Sequence, residues 1–419
     1  MIRRAAAVFA FALVACNRGA EAPDTPAPST AAPPAATSSA QDLPHNANRK
    51  HDRDGENLLN IAFGAALVSR TAELDLEHSA VHAIDGMATT EWISPAGDSN
   101  HTLVFSFGAP VRVDRLGFAT RKETSDLPEK IRFAASADGR TWREVLTTIP
   151  KSSAAPQISK VPAFEANFLR VETVEPKKPR LSLASVHALG EEIYPAELRS
   201  FDGCWTINGE RAFIAQRGAR ITGIIGAPPR FTAIDGGTDG RVARVMWLRG
   251  PMWGYAAITL SADGRHLSAL TFHQNPQVVF VGRAWIGERC ESTAQLDVPP
   301  PVHFLNQAGH WSLTALAFDD REQLIETMSR DALDATKKLI ASAPKQQRFR
   351  IISHEFRYTP EENRQRTVAR IASLRAALEA NGFDMARIDL LASGDESELA
   401  DPTFAVQRLL WSRIELQLQ

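Results

Sequence analysis

The pentapeptide His354-Glu355-Phe356-Arg357-Tyr358 begins as a zinc-hydrolase helix begins, with a histidine beside a carboxylate. A second histidine four residues on would complete that site, and position 358 is tyrosine. His303 and His310 lack metal-ligand spacing. No G-x-S-x-G elbow and no phosphate-binding glycine loop occurs anywhere in the chain. The remaining reactive side chains are three cysteines, Cys16, Cys204 and Cys290. Nucleophilic or metal chemistry therefore has no recognisable seat, and the expectation is a protein that is not an enzyme.

The elements that position these residues begin with the first sixteen. Arg3 and Arg4 precede an uncharged apolar run from Ala5 to Ala15, which ends at Cys16. A basic start, a short apolar stretch and small residues describe a secretory signal. The run falls short of the roughly 20 residues of a membrane-spanning helix. With Cys16 directly after it, the stretch resembles a bacterial lipoprotein signal and its lipobox. That resemblance implies cleavage before Cys16, a diacylglyceryl thioether on its sulfur and an acylated new N-terminus. Asn17, in place of an aspartate, implies the outer membrane, with the protein anchored mainly on the periplasmic side. Cys204 and Cys290 then remain. In an oxidising compartment they form either a disulfide or two buried thiols. The bond is the preferred reading, because the pair brackets one module and no third thiol competes. Loop-closure entropy gives such a bond roughly 4 to 5 kcal/mol.

Residues 17–50 are mostly Ala, Pro, Ser and Thr and have too little apolar bulk to offset their ordering entropy. They read as a disordered tether. The whole chain of 419 residues is long enough for two to four domains, and its net charge of −2 argues against nucleic acid as a partner.

From 51 to 192 short alternating runs are broken by Gly, Asp and Pro, as in Thr102-Leu103-Val104-Phe105-Ser106-Phe107 and Val111-Arg112-Val113. Period-two patterning at regular spacing reads as an all-β sandwich or barrel. Ala83-Ile84-Asp85-Gly86 with Thr89-Thr90-Glu91-Trp92, Phe105-Ser106-Phe107-Gly108, Ile131-Arg132-Phe133 through Trp142, Phe168-Leu169-Arg170-Val171 and Leu181-Ser182-Leu183-Ala184 follow in order. Together they resemble the discoidin, or coagulation-factor type C, domain, a galactose-binding-like jelly-roll sandwich. The resemblance implies ligand binding by loops at one end, often of carbohydrate, sometimes of lipid or protein. It also implies a structural calcium near Asp85. Ser185 stands where the family's second acid is expected, so Asp85 is either a Ca2+ ligand or a turn residue capping its own backbone. Trp92 and Trp142 match interior positions. His78, His82, His101 and Arg121 are the polar candidates for the ligand loops, each weighed against a plain solvated loop residue.

Residues 193–295 continue as a β-rich meander. Runs such as Ala212–Ala215, Arg220–Ile224, Ala243–Trp247, Ala256–Leu260 and Val278–Val281 are joined by turn sequences at Asn208-Gly209, Asp235-Gly236-Gly237, Asp239-Gly240 and Asp263-Gly264. A meander of this length best avoids open edges by closing into a barrel. Trp205, Trp247, Trp253 and Trp285 then fill the barrel in preference to lining a pocket.

After Pro299-Pro300-Pro301 the period changes to that of a helix. Residues 302–419 read as an α+β module. It has helices over about Arg321–Ser342 and from Pro360 to Asn381-Gly382. Its strands are expected at Arg348–Ile352, Arg387–Leu391 and Ile414–Leu418. Ser353-His354-Glu355-Phe356, Arg370, Leu378-Glu379-Ala380-Asn381-Gly382-Phe383, Gly394-Asp395-Glu396 and Ser412-Arg413-Ile414-Glu415 occur in the order and spacing of the OmpA-like domain. In that family an aspartate and an arginine grip the zwitterionic diaminopimelate of peptidoglycan. Arg370 matches the arginine. Phe356 occupies the aspartate position, with Glu355 one residue earlier. The resemblance implies peptidoglycan binding by Arg370 and Glu355, weighed against a helix arginine that is merely salt-bridged.

The resulting expectation is a non-enzymatic outer-membrane lipoprotein that binds carbohydrate or another envelope ligand and contacts peptidoglycan. The alternatives are an accessory glycan-processing enzyme and a protein–protein scaffold with degenerate sites.

Overall fold

The structure is a computed structural model that describes residues 56–97, 100–120, 128–151, 155–176, 180–193, 199–273, 284–292, 298–395 and 404–419. Cys16, the segment 17–50, Arg121, Glu396 and the expected strand Val278–Val281 lie outside the described residues.

The sandwich is built from β1 (Ala66–Arg70), β2 (Trp92–Ile93), β3 (His101–Ala119), β4 (Pro128–Ser136), β5 (Arg143–Thr148), β6 (Gln157–Pro176), β7 (Ser182–Leu183) and β8 (Ser185–Glu192). Its main sheet runs β1-β3-β6-β4-β5, with β8 on β3, while β2 and β7 form a separate pair. Alternation places the core: Val111 and Val113 are buried, Arg112 and Asp114 exposed. The register of β3 on β6 shifts between Ser106 and Val111, where β3 bends.

The second module is a closed antiparallel barrel of β9 (Gly203–Ile207), β10 (Glu210–Arg217), β11 (Arg220–Ile225), β12 (Thr232–Thr238), β13 (Val242–Arg249), β14 (Met252–Leu260), β15 (His266–His273) and β16 (Trp285–Arg289). Trp205, Ile214, Ile221, Ile234, Val245, Trp247, Ile258 and Leu267 belong to one buried cluster, with Trp285 packed against it. Trp253 packs instead in the larger core outside that cluster.

The seam between β9 and β16 has three paired positions, ending at Trp205↔Arg289. The next pair is Cys204 and Cys290, joined by a disulfide across Cα atoms 5.1 Å apart. The bond thus fastens the strands that close the ring.

One expected turn is a strand. Asp235, Gly236 and Gly237 lie within β12, buried along its whole length. A Cβ on Gly236 would meet the Arg244 carbonyl oxygen at 2.1 Å, and one on Gly237 the Thr314 oxygen at 2.2 Å. These glycines permit close backbone approach in place of a reversal.

The third module holds α1 (Pro301–Ala308), β17 (His310–Ser312), α2 (Glu326–Ser342), β18 (Phe349–His354), α3 (Pro360–Ala380), β19 (Ile388–Gly394), α4 (Ala405–Trp411) and β20 (Ile414–Leu418). Its sheet runs β17-β20-β18-β19, with β18 and β19 parallel across the α3 crossover. Thr359 and Glu362 form a capping box at the start of α3, and Gly382 follows its end at φ +69°. The first of these helices does not reach back to Arg321: α2 starts at Glu326, and Glu322 before it takes a left-handed φ of +59°. Pro301 opens α1, so the proline run starts a helix as well as breaking the chain.

The modules share a core. The outer faces of β12–β15, through Ala233, Met246, Ala257 and Phe272, join one cluster with Leu67 and Phe105 of the sandwich and Trp311 and Ile351 of the third sheet. Polar contacts fix the junctions. The Leu67 N–H donates to Ser268 Oγ at 2.8 Å, and the Thr314 hydroxyl donates to the Arg244 carbonyl at 2.9 Å.

Candidate functional site

Both ends of β3 come to one end of the sandwich. The rings of Trp92 and His101 meet edge-on with centroids 5.7 Å apart, and the Ala184 N–H donates to the Ala119 carbonyl at 2.9 Å. β4 starts opposite the end of β6, through Pro128↔Pro176. The strand ends at Ile93, His101, Ala119, Pro128 and Pro176 therefore lie at one end. At the other end the bend of β3 packs on the barrel, where the Ala262 N–H donates to Ser106 Oγ at 2.6 Å.

The polar candidates divide here. His78 is half-buried and its Nδ1 lies 2.9 Å from Asp75 Oδ1, which orients the ring. Burial opposes ionisation of Asp75, but the hydrogen bonds from His78 outweigh it and hold the carboxyl below its usual range. His82 and His101 are corrections to the loop assignment: both are buried, at 1% and 4% exposure. Among the described residues the ring nitrogens of His101 have no hydrogen-bond partner, and burial pushes its imidazole pKa down. It is a neutral core residue beside Trp92. Trp92 is fully buried as expected, whereas Trp142 is half-buried under the Arg170 guanidinium, 4.8 Å from the ring centroid.

Asp85 is enclosed by donors. Oδ1 accepts the Met87 N–H at 2.7 Å, Oδ2 accepts the Thr90 hydroxyl at 2.7 Å, and His82 Nδ1 lies 3.1 Å from Oδ2. Burial pushes its carboxyl up in spite of those bonds. A calcium ion needs six to eight oxygen ligands. Ser185 Oγ instead pairs with His187 Nε2 at 2.7 Å. Among the described residues no group of three or more His, Cys, Asp or Glu could hold a metal. These residues do not fit calcium, and Asp85 serves as a cap. Asp85→Ala is expected to destabilise the chain by about 1–3 kcal/mol by orphaning buried donors. A calcium chelator should leave the thermal midpoint of the native protein unchanged, and a fall of several degrees would contradict this assignment.

Arg370 and Glu355 are brought together as the spacing suggested, but each holds the other. Glu355 lies just past β18, which frees it to turn toward α3. It is fully buried and accepts five hydrogen bonds. They come from the Phe356 and Arg357 N–H groups, from Arg357 Nε and Nη2 at 2.8 and 2.7 Å, and from Arg370 Nη2 at 2.7 Å. Burial alone would raise its pKa; Arg357 and Arg370 hold it well below the carboxylate range. Arg370 Nε also donates to Glu322 Oε2 at 2.5 Å, and Glu322 binds Arg366 through its other oxygen. Neither charge is left presented to a zwitterionic ligand. Phe356 is buried. Sequence reasoning missed Glu322, which is separated from Arg370 by 48 residues and carries no local motif.

Comparison with known proteins defines the class of the first module: residues 68–185 match the F5/8 type C domain, so the sandwich is discoidin-like. Among solved structures the chain is similar to a CBM32 module of Clostridium perfringens in complex with GalNAc-β-1,3-galactose. Identity there is 17% over 32% of this chain and 100% of that one, with a TM-score of 0.29. It is also similar to the family 32 module of C. perfringens NanJ in complex with galactose, at 16% identity over 30% and 94% of the two chains and a TM-score of 0.28. A third is chitosan-binding module 2 from a Paenibacillus sp. IK-5 chitosanase/glucanase, in complex with chitotriose. It shows 21% identity over 31% and 100%, with a TM-score of 0.28. No curated protein matches the chain.

Proposed function

We propose that this chain is a lipid-anchored protein of the bacterial outer membrane that holds carbohydrate at the loop end of its sandwich and does not transform it. The observation that carries the reading is the F5/8 type C match over 68–185, joined to a sandwich whose strand ends His101, Ala119, Pro128 and Pro176 lie away from the barrel contact. The non-catalytic part rests on how four enclosed acids are used. Glu355 and Glu415 are held by arginines, while Asp85 and Asp239 bond the backbone of their own turns. The anchor rests on the Arg3-to-Cys16 pattern.

The OmpA-like reading of the last module rests on its motif order and on the placement of Arg370 on α3. Wall contact through Arg370 and Glu355 would require breaking buried ion pairs, so that pair is not part of the proposed function.

His78, half-buried, and Arg121, which lies outside the described residues, are the polar ligand candidates that remain. The His78→Ala/Arg121→Ala double variant is expected to weaken binding to an immobilised glycan by about tenfold or more, the scale of one lost anchoring contact. Surface plasmon resonance on glycan-coated chips reads this directly. Unchanged affinity would remove these two residues from the site.

A further inference from the structure

Between the barrel and the third sheet lies a cavity of about 110 Å³ whose wall carries the guanidinium groups of Arg244, Arg357, Arg366, Arg370 and Arg413. Four of them are held by carboxylates. Glu355 takes Arg357 and Arg370, Glu322 takes Arg366 and Arg370, and Glu415 takes Arg413. Arg244 differs. It reaches in from β13, and its one hydrogen bond among the described residues runs from Nη1 to the Ser412 carbonyl at 2.9 Å. The half-buried Asp239 turns Oδ1 to its own loop, where it accepts the N–H groups of Arg241 and Val242. Asp319, at the exposed rim, likewise caps its own turn through the Arg321 and Gln323 N–H groups. Burial, and after it the charge of Arg357, pulls the Arg244 guanidinium down to about 10 against the opposing charges of Asp239 and Glu355.

An arginine fork whose one described hydrogen bond goes to a carbonyl, set in a small cavity lined by five arginines, is built for a planar or tetrahedral oxyanion. The volume is below the roughly 150 Å³ that admits benzene, so the ligand has few heavy atoms. Access comes past Arg357 and Arg366, whose side chains are 35% and 25% exposed. We infer that this cavity binds a small oxyanion, an inorganic phosphate or a short-chain carboxylate, with Arg244 as its principal donor. No sandwich residue lines it, so the site is separate from the carbohydrate reading and does not depend on it.

Calorimetric titration of the full chain with inorganic phosphate, acetate and succinate in separate arms tests this, with ionic strength held constant by sodium chloride. At least one arm is expected to saturate at one anion per chain. Phosphate alone would assign a phosphoryl ligand, the carboxylates alone a small organic acid, and both a general oxyanion site. Arg244→Met is expected to weaken binding about tenfold or more, the loss of a charge-assisted hydrogen-bonded pair. Arg249→Met, at the exposed end of the same strand, should leave it unchanged. Should Arg244→Met lose its native circular dichroism, Arg366→Gln at the mouth is expected to weaken binding several-fold. The inference is overturned by the absence of saturation in every arm, by an equal response to chloride, or by native affinity in whichever variant folds.

Discussion

Glu355→Ala is expected to lower the free energy of unfolding by about 3–5 kcal/mol, the range found when one partner of a buried ion pair is removed. The loss arises less from the bonds themselves than from what stays behind. Arg370 would retain a buried charge, and Arg357 a partly exposed one, without the carboxylate that both now share. A Glu355→Ala/Arg370→Ala cycle should therefore show strong coupling, the double variant losing less than the sum of the two singles. Acid titration provides a second signature. The carboxyl of Glu355 is depressed in the folded chain, so its contribution is complete above the unfolded value of about 4.3 and declines as pH falls below it. The native chain should lose stability over that range more steeply than Glu355→Ala. Urea unfolding at several pH values measures both, and a variant within 1 kcal/mol of native at neutral pH would contradict the network.

The Cys204→Ala/Cys290→Ala double variant is expected to lose roughly 4 to 5 kcal/mol, set by the entropy of the loop that the bond closes. The cysteines are 86 residues apart in sequence, and they sit at the seam where the last barrel strand meets the first. That seam has only three paired positions, so the unlinked barrel should open there first. Hydrogen exchange of the Trp205–Ile207 and Gly287–Arg289 amides should rise ahead of exchange in β13 and β14. A loss below about 1 kcal/mol, with uniform exchange, would mean that the shared core alone keeps the ring closed.

How far the sequence could be read depended on whether an element showed water one face. Val111 and Val113 turn inward and Arg112 and Asp114 outward along β3, as the alternation of that run predicts. The signals at Thr359-Pro360 and Asn381-Gly382 delimit α3 because capping is local chemistry. β12 and most of β14 and β15 are buried on both faces, since the sandwich and the third sheet cover the outside of the barrel. Period-two alternation is lost there, and Asp235-Gly236-Gly237 then looks like a turn. β9, β12, β15, β16, β17, α1 and α4 were not foreseen, being either short or doubly covered.

The site residues follow the same division. Arg370 and Glu355 were found by spacing, but their partner Glu322 and the lone Arg244 come from distant segments; Arg244 meets Ser412 across 168 residues. His82 and His101 look like loop residues in sequence. His82 is buried because the segment Ala80–Ile84 packs beside β2, and His101 lies at the start of β3 against Trp92. Nothing local encodes that closure.

The proposal that this molecule grasps carbohydrate is most directly tested by probing a glycan array with the soluble chain lacking residues 1–16. Retention on a defined set of glycans, competed by the same free sugar and leaving the glycan chemically intact, is the result expected here. Retention on no glycan above a control protein, or release of shortened sugars from the spots that bind, would contradict it.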